Sequence, residues 1–316
     1  MTLNTNSPNN NMKHDLTKDR MYGCLYGQAV GNALGILTEF MNKRQLARNY
    51  PNGLRHYKND IGVWEDDDTN QMLCILDELV ENGEIIPKSL AKRFLNWLET
   101  DGRGCGHLVY RTLISQNYIN DPYNAAYESW ERMNRDAAPN GALMRTSVIG
   151  LLPENVVENT QRACKVTHYD PRCIGSCVIA TEIIHNLVWN NRELTLDEIK
   201  AIGRKYDDRI EEWIELAYQC CNTSLLDLTE PHSIGYTLRS LAAALWCYFH
   251  AADFESGLIA IVNEGGDADT NAAIACSILG AKFGYNEIPR YYIENLQNGE
   301  LYRRKIEKFI NKISIK

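Results

Sequence analysis

Two short stretches gather carboxylates in a pattern that can do chemistry: Trp64-Glu65-Asp66-Asp67-Asp68-Thr69 and Glu264-Gly265-Gly266-Asp267-Ala268-Asp269-Thr270. Each closes on a threonine and runs straight into a strongly helical segment. Apolar sequence presses on both sides of the second, with Leu258 to Val262 before it and Ala272 to Cys276 after it. Burying ionised carboxylates without a partner is costly, and few basic residues lie near either stretch, so the cluster calls for a bound cation. Carboxylate and hydroxyl oxygens select a hard ion: Mg²⁺ or Mn²⁺, with Ca²⁺ as the third choice.

Helix capping is the plainer explanation, since Asp and Thr are favoured at N-caps and the helix dipole welcomes negative charge there. It accounts for one Asp per helix, but not for three in a row at 66–68 with a second pair at 267 and 269. A calcium-binding EF-hand loop is excluded by position. Counted from Asp267, the sixth residue is Ala272 where Gly is needed, and the twelfth is Ile278 where Glu is needed.

The elements that must hold these residues are helical. From Arg20 onward Gly23, Gly27, Gly31 and Gly35 recur every fourth residue. Each glycine inside a helix costs about 1 kcal/mol against alanine, so four on one stripe imply that another backbone packs against it. Ala272, Cys276, Gly280 and Gly284 repeat the device after the second acidic stretch. A tightly packed centre with the acidic residues at its mouth is the expected arrangement. Glu39 follows the stop at Gly35 and can project from a loop; read alone, it is a surface glutamate after a helix end.

Helical spacing continues through Met72–Val80, Leu90–Leu98, Pro122–Trp130, Cys173–Trp189, Leu196–Ile202, Ile210–Cys220 and Ser233–Phe249. Between them lie a glycine loop, Asp101 to His107, and a turn at Asn140 to Arg145 that is expected to enter a further helix with free N–H groups suited to a phosphate. Leu301 to Lys316 is amphipathic, and a helix docked on the core is favoured over one lying on a membrane. No alternating strand or repeat is found. The fold expected is all-α, a single domain over 20–316 preceded by a flexible, Asn-rich polar tail over 1–19 that could also lie on a partner.

Composition narrows the function. The 316 residues carry 33 basic and 41 acidic side chains, a net charge of −8, with 44% hydrophobic residues. This describes a globular chain with ample core and argues against nucleic acid as a partner. No apolar run approaches a membrane span and the start lacks a signal peptide, so no membrane partner is expected. The ten cysteines show no CxxC pair, several sit inside apolar helices, and a reducing cytoplasm fits them best.

Taken in order, five blocks resemble the ADP-ribosylglycohydrolase family, the dinitrogenase-reductase-activating type. They are Gly27 through Glu39, Trp64 through Thr69, Asn140 through Arg145, the pair Thr167-His168, and Gly265 through Thr270 with its small-residue helix and Ile288-Pro289 ending. The resemblance implies an orthogonal helical bundle with a dinuclear site for two Mg²⁺ or Mn²⁺ ions. Its ligands would be Asp66, Asp67, Asp68, Asp267, Asp269 and Thr270. Where the family usually has Thr or Ser, this chain has Asp66, which adds negative charge beside the metals. Glu39 would serve in acid/base work or in controlling access, and Asp67 and Asp269 would assist catalysis by accepting a proton from water. Gly104, Gly106, Asn140 and Gly141 would line a pyrophosphate, with His168 near a ribose or phosphate; read alone, His168 is a loop residue capping a helix.

The implied activity is metal-dependent removal of ADP-ribose from an ADP-ribosylated protein substrate, with arginine the favoured linkage. One departure bears on that linkage: the glycine loop reads Gly104-Cys105-Gly106 where arginine-directed members often carry Asp-Ile-Gly, leaving Asp101 as the substitute carboxylate. The alternatives are a binding protein that occludes an ADP-ribosylating toxin, with or without hydrolysis, and a hydrolase of a free ADP-ribose metabolite.

Overall fold

The computed structural model describes residues 8–314, with side chains from residue 15. Among the described residues there are fifteen α-helices and no strand, only isolated bridges at Gly62–Leu296 and Pro139–Tyr236. The helices are α1 (Pro8–Gly35), α2 (Lys43–Asn49), α3 (Asp67–Asn82), α4 (Pro87–Thr100), α5 (His107–Leu113), α6 (Pro122–Arg132), α7 (Val156–Lys165) and α8 (Pro171–Trp189). They continue with α9 (Leu196–Gly203), α10 (Arg209–Gln219), α11 (Thr237–His250), α12 (Phe254–Val262), α13 (Ala268–Phe283), α14 (Arg290–Glu294) and α15 (Gly299–Ser314). Local chemistry sets many boundaries. Proline opens α4, α6 and α8 where its missing N–H costs nothing, and reciprocal capping boxes start α2, α9 and α12 at Asn42, Thr195 and Asp253.

The centre is α1 lying antiparallel along α13. A Cβ on Gly23, Gly27 or Gly31 would overlap the carbonyl oxygen of Gly280, Cys276 or Ala272, and one on Gly35 would overlap Asp269 Cα. The reverse holds at Gly280, whose Cβ would overlap Gly23 O. The small-residue stripes therefore do what their spacing predicts, and they bring the C-terminal end of α1 onto the N-terminal turn of α13. The helices α8, α11 and α12 pack around α13, which is buried on nearly every side.

The C-terminal helix docks, as its apolar face requires. Tyr302, Ile306, Phe309, Ile310 and Ile313 are buried, while Lys305 reaches Asp77 of α3 at 2.6 Å. This end of the chain also clamps the approach to the first acidic stretch: Trp64 is buried against Tyr302, and its Nε1 donates to Gln297 O.

Three expectations change. The polar stretch expected to be flexible through residue 19 is helical from Pro8 onward, and residues 1–7 lie outside the described residues. Asp19 accepts from the backbone N and the side chain of Asn286, at 3.2 and 2.7 Å, and Arg20 donates to Leu187 O. A helix anchored there extends backward without a new nucleation cost. The turn at Asn140 leads into two short 3₁₀ segments, Leu143–Arg145 and Ser147–Leu151, rather than an α-helix. Thr146 Oγ1 donates back to Leu143 O and closes the tighter turn. The helix expected from Ser233 begins at Thr237, because Gly235 adopts φ +78 and its carbonyl is taken by Asn140 N–H.

Gly280→Ala is expected to destabilise the protein by about 2 kcal/mol, even though alanine is the better helix former by about 1 kcal/mol. Gly299→Ala, where a Cβ meets nothing within 4 Å, should be close to neutral. Chemical denaturation of both variants checks the contact.

Candidate metal centre and its cleft

Both acidic stretches stand at helix N-termini, and the two termini converge. Asp66 is the N-cap of α3 and Asp267 the N-cap of α13, yet neither carboxylate makes a capping hydrogen bond to its own helix. They turn inward. Asp66, Asp68 and Asp269 offer oxygens that lie within 4.8 Å of one another, and so do Glu39, Asp267 and Asp269. Asp269 belongs to both sets, so the two clusters are contiguous.

Glu39 reaches them through a stitched loop. After α1 a short turn, Ile36–Thr38, is held by Thr38 Oγ1 donating to Val262 O at 2.6 Å. Phe40 N–H then donates to Gly266 O at 2.6 Å, and Gly266 N–H to Met41 O at 3.0 Å. Gly265 and Gly266 sit at φ +76 and +65, and side chains there would overlap Met41 O and Leu228 O. Those two glycines are needed both for their backbone angles and for the closeness of the loops.

Amide side chains orient the carboxylates. Asn32 of α1 is fully buried and its Nδ2 donates to both oxygens of Asp66, at 2.9 and 2.8 Å. Its Oδ1 accepts from Thr69 at 3.3 Å. Asn140 Nδ2 donates to Asp267 Oδ2 at 2.6 Å and to Ser240 Oγ at 2.8 Å. Thr270 Oγ1 donates to Asp68 Oδ2 at 3.2 Å. Charge is left uncompensated. Among the described residues Asp68 Oδ1 and Asp269 Oδ1 are buried without a partner, while Lys43 pairs with Glu264 and Arg103 with Asp101.

The titration behaviour follows. Burial first, and then the neighbouring Asp66 and Asp267, push Asp67 up to about 8. Burial followed by Asp267 and Asp66 raises Glu39 to about 7, while burial lifts Asp66 to about 6 against the lowering effect of Asn32. Asp68, Asp267 and Asp269 are also raised, in each case mainly by burial. Crowded, buried oxygen donors with orphaned atoms and no internal cation are the donor set of a hard divalent metal, and the residues present fit one.

The cluster floors a cleft lined by Glu39, Phe40, Asp67, Gly104, Gly106, Asn140, Gly141 and His168, among others. Asp67 falls in neither set of three and faces Gly104, whose Cβ would overlap its carboxylate. Of the residues expected to bind substrate, all five reach the cleft, although the Asn140 side chain is spent on Asp267. Asp101 pairs with Arg103 at 2.6 Å and does not line the cleft. The reading of the sequence did not find Asn32, Gly235 or Ser240. Asn32 had a signal, since Gln28 and Asn32 are polar residues one turn apart in the otherwise apolar and small-residue half of α1 after Arg20.

Comparison with known proteins agrees with this geometry. The ADP-ribosylglycohydrolase family model matches residues 13–316. An uncharacterised protein of Archaeoglobus fulgidus is 32% identical over 90% of this chain and 93% of its own. The ADP-ribosyl-dinitrogen reductase glycohydrolase of Rhodospirillum rubrum is 28% identical over 88% and 90%, and the ADP-ribosylarginine hydrolase Tri1 of Serratia proteamaculans is 22% identical over 89% and 76%. A solved ADP-ribosylglycohydrolase-related protein complex superposes with a TM-score of 0.73 at 25% identity, covering 95% of this chain and 99% of that one.

Raised carboxyl pKa values have a sign that can be tested. Stability from a protonated Asp67 is fully present below its unfolded value of 3.8 and is lost as pH rises through about 8. Metal-free protein should therefore lose melting temperature as pH rises from about 4 to about 8, and Mg²⁺ should cancel the loss by replacing protons with a cation. Asp269→Asn should raise the melting temperature in chelator and abolish the rise on adding metal. Calorimetric melts with and without Mg²⁺ measure both.

Proposed function

Because the chain belongs to the ADP-ribosylglycohydrolase family, we propose that this hydrolase of a glycosidic bond releases ADP-ribose from a modified protein side chain, with arginine as the linkage. The observation that carries the reading is the carboxylate cluster at the floor of an open cleft. Arginine is supported by relatives named for ADP-ribosylarginine and for dinitrogen reductase. The two contiguous sets around Asp269 favour two ions, Mg²⁺ or Mn²⁺, held by Asp66, Asp68, Asp269, Asp267 and Glu39, with Thr270 and Asp67 alongside. When bound, such ions supply positive charge that orients ribose hydroxyls and acidifies a water.

The chain's own residues account for the rest. Breaking the bond between ribose and a guanidine nitrogen builds positive charge at the anomeric carbon, and a wall of carboxylates stabilises that charge. Glu39, at the edge of the cluster where the cleft opens, is placed to give a proton to the leaving nitrogen or to take one from the attacking water. Asp67, outside both sets of three, faces Gly104 and is placed to exchange a proton on that side of the cleft. Gly104, Gly106 and Gly141 keep the wall free of side chains where a pyrophosphate would lie along it, and His168 faces the same space.

The decisive assay is release of ADP-ribose from an ADP-ribosyl-arginine protein with Mg²⁺, with Mn²⁺ and with chelator. Metal-dependent release is expected. Metal binding without release from arginine, together with release from a serine-linked substrate or a free ADP-ribose compound, would overturn the linkage. Asn32→Leu, which removes the amide that grips Asp66, should weaken metal affinity about 10- to 100-fold while leaving the helical signal intact.

A further inference from the structure

Behind the cleft wall a buried chain of hydrogen bonds ends on His168. The imidazole is fully buried, and its Nε2 has no partner among the described residues. That edge faces the cleft beside Gly141, where a Cβ would stand 3.4 Å from Nε2. On the opposite edge Nδ1 lies 2.8 Å from Thr167 Oγ1. Thr167 Oγ1 is also approached by Nη2 of Arg145, a fully buried arginine whose Nη1 donates to Gln71 and whose guanidinium lies 4.3 Å from the Phe94 ring centroid.

Counting protons gives the chain a direction. A guanidinium only donates, so the Thr167 hydroxyl accepts from Arg145. The hydroxyl's own proton then has one acceptor in contact, Nδ1 of His168. Were Nδ1 protonated, the threonine proton would be buried without an acceptor, which native interiors avoid. Burial, with the Arg145 charge second, also holds the imidazole well below the ordinary histidine range, so the ring is neutral.

We propose that Arg145, acting through Thr167, is a positioning residue that locks His168 in the tautomer with its proton on Nε2, so that the ring offers the ligand one donor and no acceptor. The group it selects is an acceptor oxygen, of a phosphate or a ribose. The nature of the ligand rests on the proposed function, but the tautomer does not.

The test is two-bond ¹H–¹⁵N correlation on full-length protein carrying ¹⁵N-histidine, with the His168 signals identified by their loss in His168→Gln. A protonated-type Nε2 and an unprotonated-type Nδ1 are expected in the free protein near neutral pH. An Nδ1–H tautomer, a mixture or a charged ring overturns the proposal. Thr167→Val should give mixed tautomers and weaken ADP-ribose binding about tenfold, with both effects restored by Thr167→Ser. A variant that is merely less stable but keeps the Nε2–H pattern would show that Thr167 does not set it. Titration with ADP-ribose should shift Nε2. A shift with inorganic pyrophosphate as well identifies a phosphate oxygen, and a shift with ADP-ribose but not with pyrophosphate identifies a ribose oxygen. Calorimetric binding of ADP-ribose with Nε2 unmoved overturns the contact, whereas no binding at all counts against the proposed function and leaves the tautomer to be decided by the free-state spectrum.

Discussion

The close antiparallel contact of α1 and α13 is the constraint on which the site depends. Two helix backbones approach so nearly that carbonyl oxygens occupy the space where side chains would stand, and the contact runs from Gly23 against Gly280 to Gly35 against Asp269. Antiparallel pairing means that the end of one helix is the beginning of the other. Glu39 and the Asp267–Thr270 segment are therefore neighbours by geometry, although more than two hundred residues separate them. Asn32, one turn before Gly35, is carried to the first acidic stretch by the same helix, so one packing event presents α1 to both halves of the cluster.

That arrangement concentrates like charge, and the surroundings partly offset it. Two helix N-termini aim their partial positive ends at the carboxylates. Asn32, Asn140 and Thr270 add neutral donors to Asp66, Asp267 and Asp68. None of these removes the repulsion, and the carboxyls of Asp67 and Glu39 are raised by burial first and by their acidic neighbours second. A protein interior that spends its asparagines on orienting aspartates, and leaves Asp68 Oδ1 and Asp269 Oδ1 bare, is arranged for a cation from solution rather than for a lysine or arginine of its own. Asp66 deepens this charge, and both of its carboxylate oxygens accept from Asn32 Nδ2.

The part of the cleft at His168 is built by different means. There Arg145 is buried among Gln71, Phe94 and Thr167 with no carboxylate in contact among the described residues, and it is linked to the cleft through Thr167 and His168. The acidic cluster thus collects negative charge, and His168 presents a neutral donor backed by a fixed positive charge. A ligand with an anionic stretch at one end and a ring carrying developing positive charge at the other would find complementary fields along its length.

Residue types and spacing by themselves determined a good deal. The helical class follows from apolar periodicity, the close contact from glycines four apart, and the metal chemistry from Asp66 to Asp68 and Asp267 to Thr270, because these are local patterns whose physical cost has to be met wherever the chain goes. The docking of α15 was legible for the same reason, as one apolar face on a basic helix. The tertiary structure alone decided how the donors divide. That Asp269 joins two sets, that Asp67 stands outside both, that Asn140 turns to Asp267, and that Asp101 is lost to Arg103 all depend on distances between segments remote in sequence. The helical stretch before Arg20 was hidden in the same way, since its anchors, Asn286 and Leu187, lie far along the chain. Sequence spacing reports which side chains share a face of one helix; it carries no information about which other helix that face will meet.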